Sequence, residues 1–116
     1  LERMDAAEHD RIFAAVSHLP HLAAFALVDD LAGRAEADDF FRFAASGFRD
    51  FTRIAASHPE MWRDIALANR EALLEELAAY RAKLDEIAAA LENGDAQALE
   101  TIFSRASKAR RDWSGN

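Results

Sequence analysis

The sequence predicts an all-α protein of about five helices, two of them long. Three observations predict it. Apolar residues recur at spacings of three and four, never in sustained alternation. Glycine and proline number only 4 and 2, too few for the many tight turns of a sandwich or barrel. The chain is 51% apolar, and much of that fraction is alanine, which suits helices packed closely together. A length of 116 residues fits one domain, so residues 1–116 are expected to form a single helical domain.

A first helix is expected to begin near Asp5, where Asp5 and Glu8 stand at capping-box spacing. Ile12, Phe13, Val16, Leu19, Leu22, Ala23, Ala26 and Leu27 form its apolar stripe. Pro20 removes one backbone hydrogen bond and crowds the preceding turn, so a kink is expected between Val16 and Pro20. The helix should end before Gly33. In "AEADDFFRFAASG", Asp38 or Asp39 caps a short helix that stops near Gly47. A second short helix covers Phe48 to Ala56. "SHPE" then supplies a start signal, with Ser57 as cap, Pro59 in the first turn and Glu60 three residues after the serine.

From Glu60 to Glu92 the stripe of Met61, Ile65, Ala68, Ala72, Leu77, Tyr80, Leu84, Ile87 and Leu91 does not break. It predicts one long helix of about 30 residues, spanning roughly 50 Å. Such a length suggests packing beyond the chain's own core, and a homodimer is the expected partner. Asn93-Gly94 ends that helix, and Asp95 caps a last one running to about Trp113.

Composition excludes several classes. The net charge is −7, from 21 acids against 14 bases, which disfavours nucleic acid as a partner. The basic cluster of Arg105, Lys108, Arg110 and Arg111 complements the negative end of the last helix. Without cysteine there is no disulfide, thiolate metal site or cysteine nucleophile. No uncharged apolar run looks long enough to span a bilayer, and the N-terminus is not a signal peptide. No membrane is therefore expected, and the cytoplasm is the default. G-x-G-x-x-G, the P-loop and G-x-S-x-G are all missing, so the chain has no phosphate cradle of its own. "LERMDAAEHD", opening on Leu1 rather than Met, reads as the start of a piece of a longer protein.

Three stretches are candidates for chemistry. In "SHLPH", His18 and His21 lie three residues apart, on one helix face. They suit a metal pair, but a third ligand and an H-E-x-x-H pattern are missing. Neutral donors to a ligand, or histidines bonded within the fold, are the other readings. In "GFRDFTRIA", Phe48, Phe51, Thr52 and Ala55 share one face, and Arg49 and Arg53 another, with Asp50 one turn before Arg53. A guanidinium matches a carboxylate with two parallel hydrogen bonds. The alternative is a solvated face, on which an Asp50–Arg53 pair is worth only roughly 0.2–0.5 kcal/mol. In "MWRDI", Trp62 opens the long helix, where free backbone N–H groups favour anions, and it either walls a pocket or joins the core.

"VSHLPHLAAFALVD", followed by "GFRDFTRIAASHPEMWRDIALANR", resembles the C-terminal helical dimerisation domain of prephenate dehydrogenases and their arogenate (cyclohexadienyl) relatives. The match covers most of the chain, with both motifs in the expected order. The resemblance implies a fold like the C-terminal domain of 6-phosphogluconate dehydrogenase, forming an intertwined homodimer. It implies a parent enzyme that decarboxylates prephenate oxidatively to 4-hydroxyphenylpyruvate with NAD or NADP, in tyrosine biosynthesis. The dinucleotide and the catalytic histidine would belong to an N-terminal Rossmann domain. No catalytic, cofactor-binding or metal residue would then lie in this chain, and the chain alone would be inert.

Residue by residue, Arg53 matches the arginine that binds a prephenate carboxylate. His21 matches a histidine lining the substrate pocket, with His18 beside it. Asp50 matches an acid in an ionic network near the pocket mouth, and Trp62 a pocket tryptophan. Gly47 matches the loop that approaches the substrate across the dimer, although "ASGF" departs, at Ser46, from a glycine-richer loop in some relatives. The rival reading is a non-enzymatic helical dimerisation module.

Overall fold

Asp5 opens the first helix, accepting a hydrogen bond of 2.8 Å from the Glu8 backbone N–H. A computed structural model of the chain describes residues 4–113, so Leu1, on which the reading as a piece of a longer protein turns, lies outside the described residues. Helix α1 (Ala6–Phe13) passes through a π turn (Ala14–His18) into α2 (Leu19–Ala32). The expected kink takes this form because Pro20 has no N–H to offer. The Leu19 N–H reaches back five residues to the Ala14 carbonyl, and the widened turn absorbs the crowding of the proline ring. Ala6–Ala32 therefore remains one helical run of 27 residues, ending at Gly33.

That run is long and apolar enough, by length and composition, to cross a membrane, which corrects the expectation that no segment qualifies. Between Arg11 and Asp29 it contains no Asp, Glu, Lys or Arg. The interruptions at Ser17, His18, Pro20 and His21 carry no formal charge.

Glu36, rather than Asp38 or Asp39, occupies the cap position of α3 (Ala37–Arg42). The two aspartates fall in its first turn, where they still complement the positive helix end. This helix stops at Phe43 instead of near Gly47, and Ala45 turns extended before α4 (Ser46–Thr52). Gly47 consequently lies inside a helix and not in a loop. A 3-10 turn (Arg53–Ala56) continues α4. Ser57 does not cap the next helix. Its hydroxyl donates back to the Ile54 carbonyl at 2.5 Å, and the cap passes to His58, whose Nδ1 accepts from the Met61 N–H at 3.4 Å.

The long helix expected from Glu60 to Glu92 is interrupted once, giving α5 (Pro59–Ala68) and α6 (Arg70–Glu92). The break is Asn69, at φ −117 and ψ 36. Its side-chain amide bonds the Asp10 carbonyl and meets the His18 ring, and those attachments draw the residue off the helical path. Its own carbonyl still accepts from the Leu73 N–H, so α6 begins at once. Gly94 turns the chain at φ 60, and Asp95 caps α7 (Ala96–Asp112) by accepting from the Ala98 N–H at 3.0 Å.

Among the described residues there is no strand, and the all-α class stands. The chain gathers into two compact units, divided between Leu77 and Ala78. In the first, α3, α4 and the 3-10 turn all pack on α2, and Ala14, Ala24 and Leu73 are buried. In the second, Ala90 is buried.

Candidate functional site

The π turn and the first turn of α2 place His18 and His21 beside Trp62, which the first turn of α5 supplies. The His21 ring stacks on the indole, with centroids 3.7 Å apart and planes 17° from parallel. His18 meets the same indole edge-on, at 6.0 Å and 79°. All three side chains are half-buried. His21 Nδ1 lies 3.0 Å from the Ser17 carbonyl. His18 Nδ1 lies 3.2 Å from the amide nitrogen of Asn69, which also donates to the Asp10 carbonyl at 2.8 Å.

Burial holds the His18 imidazole below its ordinary range, reinforced by the neighbouring His21; Asp10 pulls the other way. No group of three His, Asp or Glu side chains among the described residues is placed to hold a metal ion. The two Nδ1 atoms are engaged instead by Asn69 and Ser17.

Arg53 lies elsewhere on the first unit. It lines a hollow with Phe41, Phe48, Arg49, Thr52 and Ala56. Phe41 and Phe48 meet edge-on at 6.0 Å across it. Thr52 donates its hydroxyl to the Phe48 carbonyl at 2.6 Å, which fixes that turn. Arg49, on the same helix face as Arg53, is exposed and shares this hollow with it. The Asp50–Arg53 ion pair does not form. Among the described residues Arg49, Asp50 and Arg53 enter no salt bridge, whereas Asp30–Arg34 and Lys108–Asp112 do. Two uncompensated guanidinium groups beside a phenyl wall suit an anion with an apolar body.

The structure thus brings His18, His21 and Trp62 together. Arg53, Asp50 and Gly47 sit on the α4 and 3-10 segment, which packs against the helix that carries His21. Asn69 was missed by sequence reasoning. The available signal was a weak helix former in the middle of an otherwise unbroken helical stripe.

A dinucleotide is ordinarily held by a glycine-rich turn between a strand and a helix. The described residues contain no strand, and their one positive-φ glycine, Gly94, joins two helices. The residues present therefore do not form a dinucleotide cradle.

A family model described as the prephenate dehydrogenase dimerization domain matches residues 5–105. The chain is 41% identical to a prephenate dehydrogenase of Lactococcus lactis, over 93% of its own length and 31% of that protein's. It is 38% identical to a cyclohexadienyl dehydrogenase of Zymomonas mobilis, over 92% of its length and 37% of the relative's. Among solved structures, a prephenate dehydrogenase of Aquifex aeolicus, in complex with hydroxyphenyl propionate and NAD+, superposes with a TM-score of 0.89 at 37% identity. That superposition covers 96% of this chain and 39% of the other. A Synechocystis arogenate dehydrogenase superposes with a TM-score of 0.87 at 30% identity, covering 94% of this chain and 40% of that one. The chain thus spans about a third of the length of the curated relatives it matches.

Proposed function

The chain belongs to the prephenate dehydrogenase family, as its dimerisation domain, and from that premise we propose that it supplies the subunit contacts and part of the substrate site of such an enzyme. The parent protein would be a cytoplasmic homodimer that decarboxylates prephenate, or its arogenate counterpart, oxidatively with NAD or NADP in tyrosine biosynthesis. The dinucleotide and the catalytic histidine would come from a part of the parent that this chain does not contain.

Within the domain, Arg53 would pair a substrate carboxylate through two parallel hydrogen bonds. His21 and Trp62 would form the pocket wall, with His18 beside them. Asp50 would join an ionic network at the pocket mouth, and Gly47 at the start of α4 would approach the substrate bound by the other protomer. The observation that carries this reading is the stacking of His21 on Trp62 beside His18, inside a domain of this family. The ligand of the Aquifex aeolicus relative, hydroxyphenyl propionate, also combines a carboxylate with an aromatic body. The uncompensated arginines of the α4 hollow and its phenyl wall fit that chemistry.

Steady-state kinetics of the parent enzyme test the role of Arg53. A charge-assisted hydrogen-bond pair is worth about 1.5–3 kcal/mol, so Arg53→Ala should raise KM for prephenate roughly tenfold or more. Arg53 is exposed and unpaired among the described residues, so the same change should alter unfolding by less than about 0.5 kcal/mol. An unchanged KM would remove Arg53 as the carboxylate anchor.

A further inference from the structure

We propose that Asn69 is a positioning residue: its amide locks His18 as the neutral tautomer with the proton on Nε2, so that His18 offers a hydrogen-bond donor and His21 an acceptor. The functional part of this inference rests on the substrate site proposed above. The hydrogen-bond assignment itself rests only on geometry.

The Asp10 backbone carbonyl can only accept, so the atom of Asn69 that faces it at 2.8 Å must be the NH2 group. The same nitrogen lies 3.2 Å from His18 Nδ1. Its second hydrogen is directed there, and Nδ1 must accept it. Rotating the amide by half a turn does not relieve the constraint. It would set the amide oxygen against the Asp10 carbonyl oxygen, two acceptors with no proton between them. His18 therefore keeps its proton on Nε2, and among the described residues its ring makes no other hydrogen bond. At His21 the logic reverses. The Ser17 carbonyl, 3.0 Å from Nδ1, can only accept, so the proton sits on Nδ1 and Nε2 is left with its lone pair.

The two imidazoles, both against Trp62, thus present opposite polarity. His18 suits an acceptor oxygen of the substrate, and His21 a hydroxyl or another donor. Asn69 reaches His18 only because it sits at the break between α5 and α6, where it has left the helical path. The break and the tautomer are one device.

Nitrogen NMR of the uniformly nitrogen-labelled chain tests the assignment without any mutation. His18 should show a protonated Nε2 and an unprotonated Nδ1, with a scalar coupling between Nδ1 and the Asn69 amide nitrogen across the hydrogen bond. A proton on His18 Nδ1 in the unsubstituted chain would overturn it. Asn69→Leu then removes the donor at nearly the same size and should free Nδ1, so that both neutral tautomers of His18 are populated. In the parent enzyme the same substitution should raise KM roughly three- to tenfold, with kcat changed less. A shifted tautomer population with both constants unchanged would overturn the positioning role. A parent enzyme that shows the predicted tautomer but does not turn over prephenate would sink the functional reading and leave the hydrogen-bond assignment standing.

Discussion

Burial first, then the neighbouring His21, holds His18 below the ordinary imidazole range; Asp10 opposes this and His9 adds to it. The consequence for stability has a definite sign. A depressed value in the folded state means that the unfolded chain takes up its proton first as pH falls. Stability rises with pH wherever the unfolded state binds more protons. The contribution of His18 is therefore fully present above about pH 6.5, the unperturbed imidazole value. It is lost as the pH drops from there toward the folded-state value. Urea midpoints measured between about pH 5 and pH 8 should fall on the acid side, and His18→Gln should flatten that fall. A midpoint that holds level across this window, or a variant with the same slope, would show that burial beside His21 does not keep the ring neutral.

At the level of elements, Gly94 and Gly47 predict opposite outcomes. Gly94 has φ 60 between α6 and α7, and a Cβ there would meet nothing within 4 Å. Gly94→Ala should therefore cost about 1 kcal/mol from the backbone alone. Gly47 has no positive φ and equally open surroundings within the first turn of α4. Gly47→Ala should leave the fold unharmed or stabilise it, by up to about 1 kcal/mol. Should KM of the parent enzyme rise while unfolding midpoints hold or increase, the glycine serves the substrate rather than the helix. The same contrast between local and distant causes sorts what the sequence disclosed. Asp5, Gly33, Pro59 and Asp95 were readable because capping is chemistry between residues three or four apart. The break at Asn69 was not, because its cause is the Asp10 carbonyl, 59 residues away. His18, His21 and Trp62 stood out singly as residue types. Their convergence depends on α5 folding back against α2, which no local period encodes. The exchange of caps between Ser57 and His58 turned on a choice that spacing leaves open, whether the serine hydroxyl bonds forward or back.

For the molecule as a whole, the deciding quantity is how little of its apolar surface one chain covers. Among the described residues no large side chain is fully buried. Val16 is 67% exposed, Leu67 61% and Leu74 59% in the first unit, and Leu91 is 63% exposed in the second. Scattered exposed leucines are ordinary, but contiguous apolar patches of several hundred square ångströms mark interaction sites. In the helical run Ala6–Ala32 only Ala14 and Ala24 are buried, and most of its apolar residues are only partly covered. A domain of a dimerising family has a cover at hand, a second copy of itself. The chain should therefore sediment as a dimer at micromolar concentration, with a Tm that rises with concentration, because assembly stabilises the folded state by mass action. Leu74→Glu separates the alternatives by magnitude. On a monomer surface that substitution stays within about 0.5 kcal/mol. In a subunit interface it strands a carboxylate away from water, which costs several kcal/mol unless the group protonates. A drop in dimer population together with a Tm several degrees lower places Leu74 in the interface. A monomer with a concentration-independent Tm would instead show that the exposed face meets something other than a second copy.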